Sequence, residues 1–233
     1  MRKTTSLEAV KDMAINFLYM DIEETKFSPL VIMHPIFESA YIGVKGCEFS
    51  INILESESNL ERATSFIEER INESKTVREV FFIIRKSYRY TFFKYIKDYL
   101  NEEDFAELLR ESWVGSENPN QDVNVSVRES VRYFKKADKK HLMEKEEREY
   151  LKNLPDEVKV YRGVSVGREP NGLSYTDNLS MADWFSHRYD KEDEKGYILE
   201  GIVKKENILA YFESENELVI DPRDIENLHR MEG

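Results

Sequence analysis

Five residues in the C-terminal half of the chain have the types and spacing to do chemistry together. Arg162 stands in Tyr161-Arg162-Gly163, Ser174 and Thr176 in Ser174-Tyr175-Thr176, and two carboxylates in Glu215-Asn216-Glu217. A guanidinium stays charged at any relevant pH and grips a phosphate through two parallel N–H donors. Gly163 lacks a side chain, so a ligand ring can approach its backbone. Ser174 and Thr176 are two apart on a strand-like run and present their hydroxyls to one face. One of them can donate to a carboxylate across a sheet. Glu215 and Glu217, in an extended chain, point to one side, where adjacent carboxylates raise the pKa of one of the pair. Arginine for a diphosphate, serine to orient a carboxylate, and a carboxylate to stabilise a ribosyl cation form one coherent set. Phe185 and Arg188, three apart on a helix, add an aromatic face beside a cation.

These residues need short β-segments to carry them. Such runs are present at Val158–Arg162, Leu173–Thr176, Tyr197–Val203, Ile208–Phe212 and Glu217–Ile220. One helix interrupts them, Met181–Tyr189, with Ser180 as its cap. Ahead of them the texture is helical. Leu7, Val10, Met13, Ala14, Phe17 and Leu18 follow helical spacing behind Ser6. Three short strands follow, Leu30–Met33, Ala40–Val44 and Glu48–Leu54, the last two joined by a hairpin around Gly46. A helix covers 59–73. An aromatic helical stripe runs from Val77 to Leu100, its spacing that of a core face rather than a ligand box. Further helices start at Asn101 and cover 126–138 and 141–153. Helices first and strands afterwards indicate an α+β fold. The expected organisation is a small α+β lobe, 1–75, and a second domain, 76–233, with a helical part followed by a mostly antiparallel split β-sheet core.

Composition limits the function classes. The chain has 233 residues, 40% hydrophobic, and a net charge of -12. That is enough apolar content for a core, and the charge argues against a non-specific nucleic-acid coat. Neither G-x-G-x-x-G nor G-x-x-x-x-G-K-[ST] occurs, which argues against a Rossmann or P-loop nucleotide site. His34, His141, His187 and His229 are scattered without metal-ligand spacing, so no metal is expected. Cys47 is the single cysteine; it fits a reducing compartment and the role of a small buried hydrophobe. No run approaches a membrane span, and the Met13–Met20 stretch has no cleavage site. A soluble, cytoplasmic protein is expected.

The order of these motifs resembles the Arg–Ser–Glu class of mono-ADP-ribosyltransferases, including the actin-modifying bacterial binary toxins. The likeness rests on Tyr161-Arg162-Gly163, Asn171-Gly172-Leu173-Ser174-Tyr175-Thr176, Phe185-Ser186-His187-Arg188 and Glu215-Asn216-Glu217, and it covers roughly residues 126 to 225. Tyr175 departs from the pattern, standing where the family has a small hydroxyl residue. The resemblance implies NAD as the substrate. It implies that Arg162 contacts the NAD phosphates and that Gly163 bonds the nicotinamide amide through its backbone. Asn171 would meet the adenylate, Phe185 would pack on nicotinamide, and Arg188 would touch a second phosphate. Ser174, with Thr176 beside it in the NAD site, would orient Glu217, the catalytic residue. Glu215 would hold an acceptor arginine of a protein, whose identity stays open. Two rival readings share the residues: an NAD glycohydrolase with water as acceptor, and a non-catalytic inhibitor module docking on a host protein. The lysine-, glutamate- and isoleucine-rich texture suits a low-GC bacterium or its phage, hence an effector or toxin acting inside the producing or infected cell.

Overall fold

A computed structural model of the chain describes residues 4–44, 46 and 48–231. Cys47 lies outside them, so its expected burial is not addressed. The fold is mixed α and β with small antiparallel sheets, divided into two compact units, Met1–Glu117 and Asn118–Gly233. Among the described residues no helix is long and apolar enough to cross a membrane.

Unit 1 begins with α1 (Leu7–Leu18), followed by four two-residue strands, β1 (Glu23–Glu24), β2 (Ile32–Met33), β3 (Tyr41–Ile42) and β4 (Ile51–Asn52). β1 pairs with β2 and β3 with β4, both antiparallel. A bridge between Val31 and Ser39 links the two ribbons. Then come α2 (Glu57–Glu73), α3 (Val77–Ile83), α4 (Lys86–Ile96) and α5 (Glu102–Val114). Ser56, Thr76 and Asn101 cap α2, α3 and α5 by accepting a backbone N–H three residues on. Ser6 precedes α1 but its side chain makes no cap bond.

The aromatic stripe is core, as its spacing indicates: Phe81, Tyr90, Phe92 and Phe93 are buried. Phe17 of α1 meets Phe92 edge-on at 5.1 Å, and Tyr90 meets Trp113 at 5.6 Å. The stripe is nevertheless two helices, because Ile84 is extended where the chain passes Arg85. The Arg85 guanidinium there donates to the carbonyls of Ile32, His34 and Phe37. Unit 1 runs on to Glu117, and within it α1 packs on α3 and α4 as well as on α2.

Unit 2 opens with α6 (Val127–Lys136), α7 (Lys139–Leu142) and α8 (Lys145–Asn153). Ser126 and Glu129 cap α6 reciprocally. The strands are β5 (Glu157–Val164), β6 (Ser174–Tyr175), β7 (Tyr197–Lys204), β8 (Ile208–Phe212), β9 (Glu217–Ile220) and β10 (Ile225–Arg230), with α9 (Leu179–His187) between β6 and β7. They form two three-stranded antiparallel sheets, β10-β7-β5 and β6-β9-β8. One bridge joins them: Tyr161 and Thr176 exchange N–H···O bonds of 2.7 and 2.8 Å. Alternate residues of β5, Val158 and Val160, face a core shared with Tyr175, Tyr211, Leu218 and Ile220, against which pack Tyr150 and Leu151 of α8 and Leu154 just beyond it.

The α9 helix is capped by Asn178, not by Ser180, since the Asn178 side chain accepts from Met181 N. It sits directly on two glycines. A Cβ on Gly163 would lie 2.1 Å from the Ala182 carbonyl oxygen, and one on Gly196 would lie 1.9 Å from that of Ser186. Those contacts are backbone, so only glycine admits the helix this close.

Candidate functional site

Arg162 is carried on β5 at the edge that meets β6, and it is 8% exposed. Burying a guanidinium is costly unless its donors are matched. Here three of the five N–H donors reach carbonyls of one loop: Nε to Pro170 at 3.1 Å, Nη1 to Ser174 at 2.8 Å, Nη2 to Glu169 at 3.0 Å. The guanidinium also lies 5.9 Å from the Tyr175 ring centre. Burial pulls its pKa down, while Tyr175, Glu217 and Tyr197 push it back up. The charge of Glu217 therefore bears on Arg162. Arg162 is thus the fastening of the Glu169–Ser174 loop, a role its position on a strand did not announce.

A second fastening comes from Asn120, which the sequence reading missed. Its Nδ2 donates to Ser174 Oγ at 2.7 Å, and its Oδ1 accepts from Leu173 N at 2.6 Å. Ser174 accepts through its oxygen and keeps its own proton to donate. Gly172 makes the convergence possible, because a Cβ there would meet Arg162 Nη2 at 2.7 Å and Asn120 Oδ1 at 2.8 Å. The only sequence signal for Asn120 was its place in a loop of Asn, Pro and Gln.

Ser174 stands opposite Val219 and Tyr175 opposite Leu218 in the β6–β9 ladder. One residue further, the register brings Thr176 level with Glu217. Thr176 is buried, and its hydroxyl accepts from Asn178 N at 3.1 Å, turning the chain into α9. Glu217 begins β9, buried, opposite Phe212 of β8.

Glu215 is placed differently from the expectation. It ends a 3₁₀ turn, Glu213–Glu215, and is exposed. Asn216 follows in the left-handed region at φ 49°, ψ 44°. The two-residue alternation of an extended strand does not apply across such a turn, so Glu215 and Glu217 do not share a strand face. Tyr211 Oη donates to Asn216 Oδ1 at 2.8 Å and holds the turn. The Tyr211 ring stacks on Tyr150 at 4.1 Å, and Tyr150 Oη donates to Asp177 Oδ2 at 2.5 Å. Burial first, and then the Asp177 hydrogen bond, raise the Tyr150 hydroxyl pKa.

The remaining expected binders are carried elsewhere. Asn171 is exposed in the loop that Arg162 fastens. Phe185 is half-buried on α9 against Gly163, edge-on to Trp184 at 4.9 Å. Arg188 caps the end of α9, is exposed, and lies over Trp184 at 5.5 Å and Tyr189 at 5.3 Å. The helix packs on the face of β5 that Gly163 presents, whereas Arg162 points to the face of Val160. Gly163 is thus a seat for α9 on its Cα side. The structure brings Arg162, Ser174, Thr176 and Glu217 together with Asn120 and Tyr175. It sets Phe185 and Arg188 on the other face of β5. No protein-family model, curated protein or solved structure matches this chain.

Proposed function

We propose that unit 2 is a mono-ADP-ribosyltransferase, cleaving NAD and passing ADP-ribose to an arginine side chain of a protein. One observation carries the reading: residues far apart in sequence converge, with Arg162 bonded to Ser174 and charge-coupled to Glu217. Two small antiparallel sheets, joined at one bridge behind a helical segment, also agree with the expected split-sheet core. In this reading the bond from ribose C1′ to the nicotinamide nitrogen breaks. Its electron pair neutralises the departing ring, and C1′ becomes an oxocarbenium-like centre, as in glycoside hydrolysis. Glu217 supplies the fixed carboxylate beside that centre, a contact worth on the order of 3–4 kcal/mol. Ser174 donates its remaining proton to that carboxylate and orients it. Arg162 acts through position, keeping the Glu169–Ser174 loop in place and balancing Glu217. Glu215, exposed on its turn, meets an acceptor guanidinium arriving from solvent and takes its proton as the guanidinium nitrogen bonds to C1′.

The test is nicotinamide release from NAD, alongside transfer of labelled ADP-ribose to lysate proteins. Glu217→Gln should lower both roughly 10²- to 10³-fold while leaving NAD binding intact. A parent protein that neither cleaves NAD nor labels any acceptor overturns the proposal. Release of nicotinamide without any labelled protein points instead to water as the acceptor.

A further inference from the structure

Unit 1 keeps an unusual amount of apolar side chain in water. Among the described residues, half of the large hydrophobic side chains that remain exposed lie between Tyr19 and Leu54, about a sixth of the chain. Scattered exposed apolar residues are ordinary on any soluble protein, but a concentration rimmed by polar groups marks an interaction site. The strand register shows why this one is a face. Glu23 stands opposite Met33, Val31 opposite Ser39, and Tyr41 opposite Asn52. Directly opposed residues project to the same side, and so do residues two apart on one strand. Val31 and Met33 thus share the outer face of β2, and Tyr41 is exposed at the start of β3, at 44%, 47% and 49% exposure, while Ile32 and Ala40 are buried. Phe27 and Phe49 stand at the turns on either side, 94% and 77% exposed.

Among the described residues the rim is mostly acidic. Asp21, Glu23, Glu38, Glu48 and Glu55 are exposed around this face, and Lys26 is the one exposed cation among the described residues of the segment. That charge selects the occupant. A second copy of a chain with net charge -12 would set acid against acid. A nucleic acid or an anionic bilayer would be repelled for the same reason. We propose that the Val31–Met33–Tyr41 face docks a protein partner whose contact surface has an apolar centre and a rim of lysine or arginine. Apolar burial would supply the affinity, and the opposed rims the approach rate and the choice of partner. The inference is independent of any chemistry in unit 2.

Three fluorescent β-hairpin peptides test it against the full chain by polarisation. They share a valine and tyrosine face and differ only in a lysine, serine or glutamate rim. The lysine-rimmed hairpin should bind tightest and weaken as salt rises from about 50 to 300 mM. The double substitution Met33→Asp and Tyr41→Asp should weaken it roughly tenfold or more with unchanged circular dichroism. Leu228→Asp, an exposed site in unit 2, should leave it unchanged. Charge reversal by Glu23→Lys and Glu38→Lys, which leaves the apolar residues alone, should shift the preference to the glutamate-rimmed hairpin. Four results overturn the proposal. These are no binding of any hairpin, equal binding of the lysine and serine rims, equal losses from the unit 2 control and the face variant, or a parent dimer in sedimentation that the face variant splits.

Discussion

His34 should make the stability of unit 1 depend on pH in a window where most carboxylates are already ionised. The ring is 1% exposed and stacks on Phe37 at 4.7 Å. Its Nδ1 accepts from Ile36 N at 3.1 Å and Phe37 N at 3.0 Å, so the neutral ring carries its proton on Nε2. Protonation would place a hydrogen on Nδ1, opposite two N–H donors. Burial most of all, and Arg85, lower the pKa while the Leu18 and Met20 carbonyls raise it, and the net is a fall from 6.5 to about 4. The unfolded chain takes up this proton first as pH falls. The folded state therefore loses stability progressively from about pH 6.5 downward, and the loss levels off below about pH 4. With those two values the loss from pH 7 to pH 5 is about 2 kcal/mol. Urea unfolding at the two pH values measures it, followed by the fluorescence of buried Trp113 in a Trp184→Phe background. His34→Asn is the comparison, because Asn Oδ1 can accept the same two N–H groups and does not titrate. The parent should lose about 2 kcal/mol more than His34→Asn over that interval. Equal losses in the two proteins would refute the assignment of a neutral, depressed His34.

Two further expectations concern unit 2. Gly163→Ala should destabilise by about 1–3 kcal/mol or more, since its Cβ meets the backbone of α9. Gly43→Ala, with nothing within 4 Å of the added Cβ, should be near neutral, and thermal unfolding by circular dichroism compares them. Asn120→Ala leaves the Leu173 N–H without its partner at a cost of about 1–3 kcal/mol, and faster exchange of the Leu173 amide reports it. On the proposed function the same change slows nicotinamide release by freeing Ser174, whereas an unaltered amide exchange rate would show that Asn120 does not hold the loop.

Elements with an apolar pattern were legible in the sequence, and the exceptions have physical causes. Strands β8 and β9 match the expected Ile208–Phe212 and Glu217–Ile220 residue for residue, because both are apolar runs bounded by polar turns. β10 was missed. It is a polar strand, Ile225-Glu226-Asn227-Leu228-His229-Arg230, exposed beyond its first residue, paired along one side only, and bent where Asn227 takes φ 55°. Nothing in such a segment alternates, so its strand character comes from β7. The stripe from Val77 to Leu100 has one helical period throughout, yet Arg85 breaks it by reaching carbonyls some fifty residues earlier in the chain. That is a tertiary demand, and local spacing carries no trace of it.

The site divides along the same line. Residue types and order pointed to Arg162, Ser174 and Glu217, and these do converge. What each one faces was beyond the sequence. A lone Tyr-Arg-Gly says that a guanidinium is present, not that three of its donors end on carbonyls of a loop seven to twelve residues downstream. The Glu215 and Glu217 pair shows the limit most plainly. Counting by two is valid only while the chain stays extended, and the connection from Phe212 to Glu217 must reverse direction within four residues. A left-handed Asn216 completes that reversal, and asparagine is among the few side chains that accept it. Tyr211 then secures the asparagine through Oη, so the separation of the two carboxylates is built into the turn. One glutamate is thereby kept inside, beside Arg162, and the other outside. Any function that uses both must use them on different partners.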